Sequence, residues 1–90
     1  SVAGIDLDTG LTEYDLLEAE GKQAMIKAAS EVIVVCDHTK FGITRFARIA
    51  PLNVVQKVIT DEGTPSRYLD GLREHNIEVI ICPVNRSTSE

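Results

Sequence analysis

Five consecutive apolar residues, Val32-Ile33-Val34-Val35-Cys36, end abruptly in Asp37-His38-Thr39-Lys40-Phe41-Gly42. The first four are β-branched, and such side chains suit a pleated strand better than a helix. A strand with one wet face alternates apolar and polar residues. An unbroken run fits a strand covered on both faces, as in a parallel sheet. Parallel strands cannot be joined by tight hairpins, so the rest of the chain has to supply crossover elements.

The flanking sequence offers them. Thr12 is placed to cap a helix, with Asp15 three residues on as a short variant of the capping box. Residues 13–30 contain no proline, and Tyr14, Leu17, Gly21, Ala24, Met25 and Ala28 fall on one stripe opposite Glu13, Glu20 and Lys27. Residues 58–60 predict a second strand, and residues 77–82 (IEVIIC) a third, stopped by Pro83. Between them Pro65 opens a helix to about His75, with Asn76 as its C-cap. Residues 2–5 read as the tail of a further strand, residues 6–11 as a loop, residues 44–49 as a short extended segment, and residues 86–90 as a polar tail. The expectation is an α/β fold, a mostly parallel sheet with flanking helices and right-handed crossovers.

Composition narrows the function. The 43% hydrophobic and 26% charged residues suit a globular domain, and no apolar run approaches the roughly 18 residues of a membrane span. Neither an initiator Met nor a signal pattern stands at Ser1, so the ninety residues read as part of a longer cytoplasmic protein. Fourteen acidic and nine basic residues give a net charge of −5 with no Lys/Arg cluster, which argues against direct DNA binding. Cys36 and Cys82 each end an apolar run and are assigned to packing as reduced thiols; two Cys and two His without ligand spacing give no metal site. No P-loop, dinucleotide fingerprint or nucleophile elbow occurs.

Ligands of open parallel sheets bind beyond the carboxyl ends of the strands. Three polar loops meet that criterion: residues 6–12, 37–42 and 61–64. The middle one gathers a carboxylate, an imidazole, a hydroxyl and an ammonium in Asp37, His38, Thr39 and Lys40. Lys40 suits a phosphate and Asp37 suits sugar hydroxyls; the plain alternative is a turn with Lys40 in solvent. Glu18 and Lys22, four residues apart on the first helix, read on their own as a surface ion pair.

Taken together, Gly10-Leu11-Thr12, Glu18-Ala19-Glu20-x-Lys22-x-x-Met25-Ile26, Ala29 and residues 37–42, followed by Phe46-Ala47 and Val58-Ile59-Thr60-Asp61, resemble the effector-domain signature of DeoR-family transcription regulators. The resemblance covers nearly the whole chain and weakens only at the last few residues. It implies a bacterial repressor or activator of carbohydrate metabolism in which an N-terminal helix-turn-helix is joined to a C-terminal sensor of a phosphorylated sugar. The sensor it implies resembles the ribose-5-phosphate isomerase and CoA-transferase architecture. In those isomerases a similar strand-end D-x-S-K lines the sugar-phosphate site, and a glutamate on the preceding helix is the catalytic base. The match therefore implies ligand contacts at Asp37 and Lys40, with Thr39 in the same element, and brings in Glu18 and Lys22.

The helix-turn-helix and the earlier, Gly-Gly-Thr-bearing half of such a sensor are not in these ninety residues. Residues 1–90 are thus expected to be the C-terminal part of the sensing domain, reaching operator DNA only through the absent helix-turn-helix and carrying an exposed sheet edge. The expected protein is a homo-oligomeric, non-enzymatic regulator without a cofactor. A fragment of a ribose-5-phosphate-isomerase-like enzyme is the alternative. It would need a general base at Glu18 or His38 and an oxyanion-stabilising group. The glycine-rich run expected before its helix is reduced here to Asp8-Thr9-Gly10. A third reading is a dimerisation module that pairs through the sheet edge.

Overall fold

The three β-branched segments do form a parallel sheet. In the computed structural model, which describes residues 1–83, β3 (Ile33–Val35), β5 (Lys57–Asp61) and β6 (Glu78–Cys82) lie in the order β3-β5-β6. Val34 pairs with Val58 and Val58 with Val79, all in parallel register. The tail expected over residues 86–90 lies outside the described residues.

The fold as a whole is not mostly parallel. β1 (Gly4–Asp6), β2 (Gly10–Glu13) and β4 (Ala47–Ala50) form a second three-stranded sheet, order β1-β2-β4, in which both pairings are antiparallel. The segment read as a loop over residues 6–11 is a hairpin. Asp6 accepts the N–H groups of Asp8 and Thr9 in its carboxylate, which tightens the turn. Gly10 follows at φ 82°, where an L side chain is strained, and a Cβ there would collide with the carbonyl of Ala50 on β4. These strands are three or four residues long, too short for a period of two to emerge from the sequence.

Helix α1 (Leu16–Ala28) therefore starts later than expected. Thr12 is buried inside β2, and Asp15 is the cap, its carboxylate accepting the Glu18 N–H at 2.8 Å. The stripe read as its buried face is mostly wet: Leu17 is 79% and Met25 70% exposed. The helix instead seats Ala19 and the half-buried Ile26 against β2 and β4, with Gln23 donating to the carbonyls of Arg48 and Ile49. Helix α2 (Ser66–Glu74) packs on β6, with Pro65 as its cap rather than its first residue. Beyond it Asn76 takes φ 61°, the left-handed conformation that ends helices.

The expected cover on both faces of the parallel sheet is also corrected. Val34 and Val58 are buried, whereas Ile33, Val35 and Ile80 on the opposite face remain exposed among the described residues. Cys82, assigned above to packing, is exposed; Cys36 is buried, and burial pushes its thiol up to about 11.

The two sheets meet at the segment that carries the polar motif. Cys36 donates its N–H to Ile59 of the parallel sheet at 3.1 Å, and Gly42 donates to Ile5 of the antiparallel sheet at 2.9 Å. Phe41 bridges to Ile5 and stacks at a tilt on Tyr68 of α2, ring centroids 5.6 Å apart. Residues 37–42 are thus pinned at one end by each sheet.

Candidate functional site

The chain after β3 makes one turn of 3-10 helix, His38–Lys40, capped by Asp37. Asp37 accepts the Thr39 N–H at 2.8 Å and also the Thr39 hydroxyl. These two bonds from Thr39 hold the Asp37 carboxyl below its ordinary value, with the Lys40 ammonium assisting. Lys40 Nζ stands 3.4 Å from the Thr39 hydroxyl and 3.8 Å from Asp37 Oδ2. Three of the sequence-predicted residues thus form one exposed cluster with a lysine at its edge.

Lys40 also lines an open cavity of about 320 Å³, with Glu18, Lys22, Glu13 and Tyr14 among the other walls. Of the five predicted residues, Glu18, Lys22 and Lys40 line this cavity; Asp37 and Thr39 do not, and neighbour it only through their contacts with Lys40. Glu18 and Lys22 do not pair with each other, however. Lys22 forms an ion pair with Glu13 at the end of β2 and donates to the Ser1 carbonyl at 2.5 Å. Burial raises the Glu13 pKa, but the hydrogen bond from Lys22, the Tyr14 N–H and the charge of Lys22 together outweigh it, so the carboxyl stays below its ordinary value. Lys22 arrives at the cavity already neutralised. Lys40, whose nearest anion is 3.8 Å away, keeps more of its field for a ligand.

A neighbouring cavity of about 200 Å³ shares Lys22 but is walled mainly by apolar residues such as Leu11, Ile26, Val34 and Ile49. It contains none of the strand-end residues.

Sequence reasoning missed two members of this region. Glu13 was read as the outer face of a helix, and it is 3% exposed in a strand. Asp61, at the end of β5, accepts the His38 backbone N–H at 3.0 Å and the Gly63 N–H at 2.8 Å, and both its oxygens stand 3.0 Å from His38 Nδ1. The bond from the His38 ring holds the Asp61 carboxyl below its ordinary value, with the two N–H groups helping. Val58-Ile59-Thr60-Asp61 stood in the sequence match, but nothing local tied Asp61 to His38. Of the three polar loops, only those after β3 and β5 flank the crevice of the parallel sheet. The first is the β1–β2 hairpin, whose Leu7 packs on Gly71 of α2.

Comparison with known proteins gives these residues a context. The family described as DeoR C terminal sensor domain matches residues 1–62, well over half of the chain. The chain belongs to the DeoR C-terminal sensor family. Among DeoR relatives, the glycerol-3-phosphate regulon repressor of Escherichia coli (strain K12) is 33% identical over 81 residues, 90% of this chain and 32% of that protein. The putative aga operon transcriptional repressor of Escherichia coli O157:H7 is 35% identical over 80 residues, 89% of this chain and 30% of the relative. The HTH-type transcriptional regulator IolR of Bacillus subtilis (strain 168) is 34% identical over 79 residues, 88% of this chain and 32% of the relative. The chain thus spans about a third of the length of these DeoR regulators. Among the described residues, no helix is long and apolar enough to cross a membrane.

Proposed function

We propose that residues 1–90 are the C-terminal part of the effector-sensing domain of a cytoplasmic bacterial transcription regulator, and that the crevice after β3 receives a phosphorylated sugar. The observation that carries this is the position of Lys40. It belongs both to the Asp37–Thr39 turn and to the wall of the cavity shared with Glu18 and Lys22. In this reading Lys40 meets the phosphate, Asp37 and Thr39 meet sugar hydroxyls, and the Lys22–Glu13 pair stiffens the opposite wall.

The reading extends to the whole protein. Operator DNA is reached through a helix-turn-helix outside these residues, and the protein assembles as a homo-oligomer. The fold is that of the ribose-5-phosphate isomerase and CoA-transferase type. Effector binding shifts the regulator between two states through its different affinities for them. The regulatory names of the relatives support a sensor over an isomerase. An isomerase would need Glu18 or His38 as base; Glu18 sits exposed on the first turn of α1, and His38 is half exposed in the turn after β3.

The deciding experiment titrates the full-length protein with glycerol 3-phosphate, ribose 5-phosphate and fructose 6-phosphate, and follows melting temperature and operator release. A ligand at 100 times its dissociation constant should contribute about 2.7 kcal/mol of stability. Turnover of ribose 5-phosphate or fructose 6-phosphate, abolished in Glu18→Gln or His38→Ala, would establish the enzyme instead.

A further inference from the structure

We infer that Asp61 is a positioning residue of the crevice, which fixes the His38 imidazole so that its second ring nitrogen reads a hydroxyl of the ligand. This deepens the sugar-phosphate reading above and rests on it.

The geometry is specific. Both Asp61 oxygens lie 3.0 Å from His38 Nδ1, and one of them also takes the His38 backbone N–H. The other takes the Gly63 N–H at 2.8 Å. A Cβ at Gly63 would stand 3.0 Å from the ring atoms Cγ and Nδ1 of His38, so the loop after β5 closes directly on the imidazole. Beneath it the hydroxyls of Thr60 and Thr64 meet at 2.9 Å in a buried contact that holds the same loop in shape. One carboxylate therefore ties the loop after β3 to the loop after β5, across neighbouring parallel strands.

A carboxylate at Nδ1 selects the tautomer with its proton there, which leaves Nε2 as an acceptor. His38 keeps 49% of its side chain exposed, beside Thr39 and Lys40. A lysine recognises the phosphate by charge alone, whereas an oriented acceptor distinguishes sugars by where their hydroxyls lie. The two neighbours thus divide recognition between phosphate and carbohydrate.

The test has a ligand-free arm and a binding arm, both on the full-length protein. Nitrogen chemical shifts of ligand-free protein should show His38 as the Nδ1–H tautomer, and Asp61→Ala should abolish that preference. An unchanged tautomer overturns the inference whether or not a ligand binds. In the binding arm the probes are inorganic phosphate and the tightest of the three phosphate esters above. His38→Ala should weaken the sugar phosphate about 3- to 10-fold, as loss of one hydrogen bond predicts, and leave inorganic phosphate unchanged. Asp61→Ala should weaken it comparably, and His38→Ala/Asp61→Ala should be no weaker than His38→Ala alone. A further loss from Asp61→Ala in the His38→Ala background would show that Asp61 acts on the fold, not through the ring. If Lys40→Ala binds both probes like the parent, the crevice reading itself fails, a result separate from the tautomer.

Discussion

Lys22 and Glu13, nine residues apart, meet as an ion pair across the junction of β2 and α1, with the Glu13 side chain only 4% exposed. A buried carboxylate is tolerable there because the ammonium compensates its lost hydration. Lys22→Ala removes that compensation, and the expected loss is about 3 kcal/mol, the low end for a broken buried pair because the Lys22 side chain is partly wet. Urea unfolding checks it. Glu13→Gln, which leaves behind only the partly wet Lys22 ammonium, should cost clearly less.

Acid should act through the same carboxylates. Glu13, Asp37 and Asp61 all have folded pKa values below their ordinary 4.5, 3.8 and 3.8. A depressed carboxyl contributes stability that is present above the ordinary value and lost as pH falls through the folded one. The melting temperature should therefore lose these contributions below about pH 4.5 and retain them above. Glu13→Gln should flatten that decline, as a series of thermal scans would show.

Lys40→Ala should weaken the effector roughly 10- to 150-fold, the effect of losing a charge-assisted contact of about 1.5–3 kcal/mol. Melting temperature should hardly move, since the side-chain polar contacts of Lys40 among the described residues are the local ones with Asp37 and Thr39. Asp37→Asn should also weaken the response while keeping the turn. Titration calorimetry beside thermal scans separates binding from folding.

Gly42→Ala should destabilise the protein by about 2 kcal/mol. Gly42 sits at φ 76°, and a Cβ there would collide with the hydroxyl of Tyr68. Tyr68 is also held by Arg67, which donates to that hydroxyl at 2.6 Å, so the ring cannot swing aside without loss. Denaturant midpoints measure the cost.

These ninety residues alone should not retain duplex DNA near physiological salt. Their net charge is −5, and phosphate contacts need clustered cations. Mobility shifts at micromolar protein test this directly.

The parts of the fold visible in the sequence are those with many like residues in a row. The run Val32 to Cys36 had to contain a strand, found at Ile33–Val35, because four β-branched neighbours suit little else, and its parallel partners at Val58 and Val79 followed from the same logic. The β1–β2 hairpin was hidden because Thr12 and Asp15 imitate a capping box, while Thr12 actually lies in a strand and accepts the Arg45 N–H at 2.9 Å. The cluster of Asp37, Thr39 and Lys40 was legible because it is local. Its long-range members were not. Glu13 meets Lys22 only after a strand has turned into a helix, and Asp61 meets His38 only because β3 and β5 are neighbours.

The apolar side chains left exposed among the described residues, on the parallel sheet and elsewhere, have a calorimetric consequence. Unfolding normally raises heat capacity by roughly 12–15 cal/mol/K per residue, because apolar groups become hydrated. Here Leu17, Met25 and Phe46 are already largely hydrated in the native state, Phe46 at 85% exposure, and Ile33 and Val35 about half so. They add little on unfolding. A ninety-residue chain would ordinarily show about 1.1–1.4 kcal/mol/K. This one should fall below that range, with a correspondingly flatter stability curve and a denaturant slope suited to a smaller protein.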